Sequence, residues 1–279
     1  MNRPQVLRRG WQRITPELAG WTFVSFEVVT LPPGREFAWR ADHHERALVP
    51  IEGEFEAVVG NGGFRFGRPG GVFAATGSCL YAPREMRGAV RSDRGGQVAI
   101  ASAPARERRE PHLVTPDMVD VEVRGAGVAT RQVGNLLSSS AAADRLLLVE
   151  VWTPGGNWSG YPPHKHERDT DTEAQLEELY YYRTRDPDAG WAIQRIYSPE
   201  RNFDLSSVVS DGDISLMPWG YHTTVAAPGH DLYYLCVLAG PSPARQLRNS
   251  IDPRLAPFKD SWPSMTTDER VPMVMPPSS

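Results

Sequence analysis

The 279-residue sequence has little of what marks disulfide-rich, secreted or membrane proteins. It has two cysteines, Cys79 and Cys236, which favour reduced, buried thiols over a disulfide framework. No apolar run approaches the length of a membrane span, and the first residues lack the apolar core of a signal peptide. We therefore expect a cytoplasmic protein without a membrane partner.

Clustered positive charge is also scarce. The formal net charge is −4, and the densest basic stretch, residues 104–111, is mixed with glutamate and proline. A mixed stretch of this kind is typical of a solvated connector. The sequence therefore provides no electrostatic case for a nucleic-acid partner.

Windows with apolar residues at helical spacing are few, whereas short strand-like runs are common. Residues 22–29, 97–100 and 146–152 are examples, and 25 glycines and 25 prolines separate such runs. Many short strands between Gly, Pro and Asp turns predict an all-β sandwich or barrel with few short helices.

The strand pattern occurs twice along the chain. We predict an N-terminal barrel over residues 1–110, a linker over 111–127 and a second barrel over 128–240. Residues 241–279 are rich in Pro, Ser and Arg and lack periodicity. We expect them to form an extended tail that packs on the barrel, or a frayed end.

The first barrel lacks a complete set of metal ligands. His43 and His44 are adjacent, so a regular strand would send them to opposite faces, and no histidine follows Pro83. We expect this barrel to be a metal-free structural copy. A second metal site that uses His44 is the alternative.

Three of the seven histidines lie in two short segments of the second half. His164 and His166 are two residues apart, so a strand would project both from one face, and His222 follows a Pro-Trp-Gly turn. Together with a carboxylate from a neighbouring strand, three imidazoles would form a facial metal site. Histidines of surface loops beside prolines are the simpler alternative, which the combination disfavours.

These segments resemble the 5-deoxy-glucuronate isomerases of inositol catabolism, bicupins related to the 5-keto-4-deoxyuronate isomerases of pectin breakdown. The matching stretches are GNWSGYPPHKH (156–166), LEELYYYR (176–183), QRIY (194–197), GYH (220–222) and AAPGHDLYYL (226–235). The resemblance implies two tandem jelly-roll β-barrels. It also implies an aldose–ketose isomerase that converts 5-deoxy-D-glucuronate to 5-dehydro-2-deoxy-D-gluconate in myo-inositol degradation.

In that family three histidines and one glutamate hold a divalent metal. Motif by motif, the resemblance places these ligands on His164, His166, Glu178 and His222. Strand alternation would send Tyr180 and Tyr182 to the face of Glu178, and Glu177 outward. Open positions for a chelating substrate favour Mn²⁺ or Fe²⁺, although Zn²⁺ could also bind.

The implied reaction moves a carbonyl from C1 to C2, which requires a proton shuttle. Tyr180, Tyr182 and Lys165 are our candidates, although the tyrosines could instead form a packed barrel wall. Arg195 is the candidate for the substrate carboxylate, because a guanidinium binds a carboxylate through two hydrogen bonds. Its neighbour Gln194 is a further substrate-binding candidate, although adjacent strand residues face opposite sides.

Tyr161 and Tyr233 are the remaining candidates for substrate contact, and Tyr233 and Tyr234 must also face opposite sides. The family usually has tyrosine at His230 and often asparagine at Cys236, and these departures bear on the substrate. Two rival functions are an Fe-dependent cupin dioxygenase and a non-catalytic bicupin that binds sugar acids. All three functions imply a small-molecule partner, and a homo-oligomer is compatible with each.

Overall fold

The chain folds mainly into β-strands, and a computed structural model describes residues 3–11, 13–242 and 244–275. The strands of the first half are β1 (Gln5–Leu7), β2 (Arg13–Ile14), β3 (Ser25–Leu31), β4 (Arg35–Trp39), β5 (His44–Val59), β6 (Gly62–Arg68), β7 (Cys79–Ala82), β8 (Gly88–Ser92), β9 (Gly96–Pro104) and β10 (His112–Val114). Those of the second half are β11 (Asp120–Arg124), β12 (Arg131–Leu137), β13 (Leu147–Thr153), β14 (Trp158–Lys165), β15 (Glu177–Thr184), β16 (Trp191–Ser198), β17 (Phe203–Ser210), β18 (Ile214–Met217), β19 (Tyr221–Ala226), β20 (Leu232–Ala239) and β21 (Ser250–Ile251).

Helices are short. The α-helix α1 spans Pro16–Ala19, and the 3₁₀ helices span Pro116–Met118, Gly127–Ala129, Pro199–Arg201 and Ala256–Ser264. No helix of the described residues is long and apolar enough to cross a membrane. The prediction of an all-β protein with few short helices is confirmed.

The strands of the described residues form three antiparallel sheets. The first-half sheet has the order β10-β7-β5-β9-β3-β2, with β6 and β8 also paired to β5, and β4 paired to β8. The central sheet has the order β1-β18-β15-β20-β13-β12-β11. The outer sheet has the order β17-β16-β19-β14-β21.

The central sheet is buried on both faces. In β13, Leu148 and Trp152 pack in a core shared with the first half, whereas Val149 and Val151 pack in a core on the other side, towards the outer sheet. Because successive strand residues point to opposite faces, parity along β13, β15 and β20 decides which core each side chain enters. The second core encloses the candidate site.

The two halves are joined by more than a linker. Residues 112–114, within the predicted connector, pair with β7 of the first-half sheet, and residues 120–124 pair with β12 of the central sheet. Strand β1, from the start of the chain, pairs with β18 of the central sheet. Part of the predicted linker is therefore built into both halves, whereas residues 106–110 of the charged stretch before it are exposed, as their charge indicated.

A buried carboxylate, Glu45, and a half-buried one, Glu177, reinforce this junction. Glu45 of the first half accepts hydrogen bonds from the backbone N–H groups of residues 144–146, at 2.6 to 2.8 Å. Glu177 of the second half accepts three from residues 22–24, at 2.6 to 3.0 Å. Glu177 thus points away from the candidate site, as alternation predicts, but towards the other half rather than to solvent.

The described part of the tail packs against the second half. Strand β21 pairs with β14, and the Gln132 side chain exchanges hydrogen bonds with the backbone of Met273 and Val274. Val274 is buried. The tail was expected either to pack on the barrel or to be frayed, and the contacts within residues 244–275 agree with packing.

Candidate active site

Three potential metal ligands converge in the second core. His166, Glu178 and His222 each offer a ligand atom within 4.8 Å of the others, and all three residues are buried. The Nε2 atoms of His166 and His222 lie 2.8 and 3.0 Å from the same atom, Oε2 of Glu178. We call these three residues the His/Glu cluster.

Backbone carbonyls orient both imidazoles. Nδ1 of His166 lies 3.0 Å from the Leu176 carbonyl, and Nδ1 of His222 lies 3.1 Å from that of Gly220. If each Nδ1–H donates to its carbonyl, each Nε2 lone pair faces the cluster, an arrangement typical of metal-binding histidines. Nε2 of His222 is buried and, despite its closeness to Glu178, makes no hydrogen bond of acceptable geometry. An ion would satisfy it, so the residues fit a metal.

His164 lies beside the cluster. It is paired with His222 across β14 and β19, and the two ring centroids are 4.5 Å apart. The strand pairing is irregular between Ser159 and His164, which re-aims the histidine-bearing end of β14. The ring of His164 lines the cavity described below. His164 is therefore placed to add a fourth ligand.

Two of the four candidate ligands, Glu178 and His164, are held in protonation states that suit a metal. Burial opposes ionisation of Glu178, but His166 and His222 hold the pKa of its carboxyl well below its usual range. Burial and the neighbouring His222 hold the pKa of His164 well below its usual value. An ionised carboxylate and a neutral imidazole are the forms that bind metal ions.

A cavity of about 490 Å³ opens beside the cluster. Its polar wall includes Glu178, His164, Tyr161, Tyr180 and Tyr234. The ring of Tyr180 stacks on that of Tyr234 at 4.4 Å between centroids and lies 5.9 Å from that of His222. Burial and the charge of Glu178 raise the pKa of Tyr180 well above its usual value. At neutral pH its phenol is therefore a proton donor.

The chain is similar to known proteins over most of its length. A family model described as the KduI/IolB family matches residues 3–257. The chain belongs to the KduI/IolB family. It is 39% identical over 243 residues to a 5-deoxy-glucuronate isomerase of Geobacillus thermodenitrificans (strain NG80-2), covering 86% of this chain and 88% of the relative. It is 30% identical over 232 residues to that of Bacillus subtilis (strain 168), covering 82% and 86%.

Solved structures agree with the fold of this KduI/IolB chain. An IolB-like protein from Salmonella typhimurium LT2 has a TM-score of 0.85 and 34% identity, covering 90% of this chain and 95% of that one. An oxalate decarboxylase from Lactobacillus farciminis has a TM-score of 0.60 at 10% identity, covering 89% and 86%. The second likeness concerns the fold alone, and it agrees with the predicted cupin architecture.

Two predicted site residues of the KduI/IolB chain lie behind the cavity wall. Tyr182 donates a hydrogen bond to Oε1 of Gln194 at 2.7 Å and accepts one from Ser215 at 3.1 Å. Gln194 also accepts a hydrogen bond from Thr224, and both predicted residues are fully buried. Neither lines the cavity, so this pair acts as packed wall and Tyr180 is the phenol that faces the cluster.

Lys165 and Arg195 face away from the cavity. Nζ of Lys165 lies 2.9 Å from Glu173 and 3.2 Å from Glu167. Arg195 is exposed and holds Asp204 through two hydrogen bonds, at 2.6 and 3.0 Å. The prediction that Lys165 shuttles protons and that Arg195 binds the substrate does not match these positions, because alternation turns both side chains to the other face of their strands.

The choice between Tyr233 and Tyr234 is also corrected. Tyr233 is in the core between the halves, where its hydroxyl donates to Glu150 at 2.7 Å. Tyr234 lines the cavity and shares a hydrogen bond with Ser159. Tyr161, by contrast, lines the cavity, and its ring meets that of Phe258 edge-on at 5.1 Å.

Sequence reasoning missed three cations of the cavity, Arg124, Arg131 and Lys259. No motif contains them, and Lys259 lies in the tail. Arg131 carried one signal: it is two residues before Val133, an apolar residue that lines the cavity. A charged residue two positions from a buried apolar residue of a strand lies on the same face of that strand and is therefore predicted to be buried. Charged residues are rarely buried without a partner, so such a position is a candidate functional residue.

Proposed function

We propose that this protein is a metal-dependent aldose–ketose isomerase that interconverts 5-deoxy-D-glucuronate and 5-dehydro-2-deoxy-D-gluconate in myo-inositol degradation. The observation that carries the proposal is the convergence of His166 and His222 on one oxygen of Glu178 at the wall of a cavity. The names of the relatives supply the substrate.

His164, His166, Glu178 and His222 would hold the metal. Three imidazoles and a carboxylate suit Mn²⁺ or Fe²⁺, and Zn²⁺ also binds such donors. Cys236 also lines the cavity, where burial and the charge of Glu178 raise the pKa of its thiol well above the usual value. A bound divalent ion would polarise the carbonyl and hydroxyl oxygens of the substrate and acidify the proton on C2.

The phenol of Tyr180 acts on the oxygen side of the reaction. It is protonated at neutral pH, so it can donate a proton to O1 as the C1 carbonyl becomes a hydroxyl, and the phenolate regains a proton from O2 as the C2 hydroxyl becomes a carbonyl. The stacked ring of Tyr234 holds the ring of Tyr180 in place. Val149, Val151 and Leu238 line the same cavity and limit the access of water.

The experiment is incubation of the purified protein with 5-deoxy-D-glucuronate in D₂O, followed by NMR, with oxygen uptake recorded in parallel. We expect conversion to the ketose without oxygen uptake. If the C2 proton leaves to a group that exchanges with solvent, the product carries deuterium at C1. Oxygen-dependent loss of substrate would instead indicate a dioxygenase, and binding without conversion a non-catalytic bicupin.

A further inference from the structure

The cavity contains positive charge that is not neutralised. Arg124 is paired with Glu122 through two hydrogen bonds of 2.9 Å. Within the described part of the chain, no carboxylate forms an ion pair with Arg131 or Lys259, which line the same cavity. Unpaired cations at a cavity wall are uncommon, because burial disfavours charge unless an opposite charge arrives.

Arg131 is held in a fixed position. Its Nη1 donates a hydrogen bond to the Ala129 carbonyl at 3.1 Å. Gly125, at φ +83°, lies so close that an added Cβ would be 2.8 Å from Nη1 and 2.1 Å from the Ala129 oxygen. Glycine at position 125 therefore leaves the room that the guanidinium occupies. Burial lowers the pKa of Arg131, which is the cost of holding a charge here without a carboxylate.

The tail brings two further groups to the cavity. Lys259 and Trp262 belong to the 3₁₀ helix Ala256–Ser264, and Nζ of Lys259 lies 5.6 Å from the centroid of the Trp262 ring. Nε1 of Trp262 is buried and has no hydrogen-bond partner among the described residues. Pairing of Ile251 with His164 holds the preceding strand of the tail against β14. A donor without a partner thus accompanies the unpaired cations.

Strand order separates this positive region from the cluster. Arg131 is on β12 and Glu178 on β15, and β13 and β20 lie between these strands in the central sheet. From β13, Val149 and Val151 line the cavity. The wall therefore runs from a cation through an apolar region to the His/Glu cluster.

We propose that Arg131, assisted by Lys259 and the indole N–H of Trp262, binds the carboxylate of a sugar acid whose carbonyl end lies at the His/Glu cluster. This assignment rests on the proposed function. A guanidinium can hold a carboxylate through two parallel hydrogen bonds. The apolar side chains of β13 suit the methylene carbon of a 5-deoxy sugar acid, since a hydroxyl there would find no hydrogen-bond partner among them.

The test compares 5-deoxy-D-glucuronate with 5-deoxy-D-glucose, in which a primary alcohol replaces the carboxylate. Dissociation constants are measured by calorimetry, and KM wherever turnover occurs. Arg131→Gln should weaken binding of the acid roughly 10- to 100-fold, the usual worth of a hydrogen bond to a charged group, and change binding of the neutral sugar about twofold or less. Lys259→Gln, at the exposed rim, should weaken the acid only about two- to fivefold.

Arg195→Gln is the matched control, because it removes an arginine on the outer face. It should leave the preference for the acid unchanged. Thermal unfolding and metal content confirm that each variant is folded. Arg131→Lys keeps the positive charge but cannot form two parallel hydrogen bonds, so its dissociation constant for the acid should lie between those of Arg131→Gln and the parent. Equal weakening of both sugars by Arg131→Gln, or none, would overturn the proposal. Should Arg131→Gln not fold, Arg131→Lys and Lys259→Gln decide between the same two outcomes by the same comparison of sugars.

The two proposals fail in different ways. If the parent protein converts neither sugar but prefers the acid, and Arg131→Gln removes that preference, the isomerase proposal is wrong and the carboxylate subsite stands. If it converts the acid, and the Arg131 variants retain the preference for it, the subsite is wrong and the isomerase stands.

Discussion

Tyr180 and Tyr182 are two residues apart on one strand, yet the structure predicts opposite outcomes when each is changed to phenylalanine. Tyr180 lines the cavity, where it is paired with Cys236 across β15 and β20 and its ring stacks on that of Tyr234. Tyr182 lies behind the wall, bonded to Gln194 and Ser215. The first change removes a group placed for chemistry, and the second removes the centre of a buried hydrogen-bond network.

The expected magnitudes follow from these contacts. Tyr180→Phe keeps the stacked ring, so the free energy of unfolding should change by about 1 kcal/mol or less, while kcat should fall roughly 10²- to 10⁴-fold, the usual contribution of a general acid or base. Tyr182→Phe removes the hydroxyl that donates to Gln194 and leaves the buried Ser215 hydroxyl without its acceptor, which costs about 2 kcal/mol. For a chain of this size that lowers Tm by roughly 4 to 8 °C, with kcat largely retained.

The assay pairs initial rates of 5-deoxy-D-glucuronate conversion, followed by NMR, with thermal unfolding followed by circular dichroism. Metal content is measured in both variants and should match that of the parent, because neither phenol is a ligand in this scheme. Near-normal kcat in Tyr180→Phe, or a large loss of kcat with unchanged Tm in Tyr182→Phe, would refute the assignment.

Two further predictions concern how the site is supported. Glu177→Gln should lower the free energy of unfolding by about 2 kcal/mol without loss of metal. The reason is that a carboxylate that accepts three hydrogen bonds from the N–H groups of residues 22–24 becomes an amide. The free energy of unfolding is measured with denaturant, and an unchanged value would contradict this prediction. Hydrogen bonds from Arg254, and secondarily from Tyr197, lower the pKa of Asp252 in the tail to about 2 from 3.8. Since the folded pKa is the lower one, its stabilisation is present above about pH 4 and is lost as the pH falls towards 2. The difference in unfolding free energy between roughly pH 5 and roughly pH 2.5 should therefore be smaller in Asp252→Asn than in the parent, and an equal difference would count against this contribution.

Strand periodicity and the family resemblance were sufficient to predict the fold class and the candidate metal ligands. Spacing alone placed His164 and His166 on one face of a strand, and alternation separated Glu178 from Glu177. Both patterns depend only on the pleat of a strand, which local sequence determines. The all-β class likewise followed from many short runs between turns.

The wrong predictions have one cause: alternation shows which residues share a strand face, but not which of the two faces meets the site. The central sheet is buried on both faces, so a sequence pattern does not distinguish Tyr233 from Tyr234, and only tertiary packing shows which one meets the cluster. Arg195 faces outward because its neighbour Gln194 faces inward, although the arginine is the better carboxylate ligand. Arg131 and Lys259 come from an early strand and from the tail, and no local signal connects such distant segments.

The central claim is that His164, His166, Glu178 and His222 hold a divalent ion on which isomerisation depends. The most direct measurement is metal content per chain together with conversion of 5-deoxy-D-glucuronate, before chelation, after it, and after addition of Mn²⁺, Fe²⁺ or Zn²⁺. We expect about one ion per chain, loss of activity with its removal and recovery on its return, and no bound ion in His222→Ala, with His43→Ala as an unaffected control. Full activity in metal-free protein, or a parent-like ion in His222→Ala, would contradict the claim.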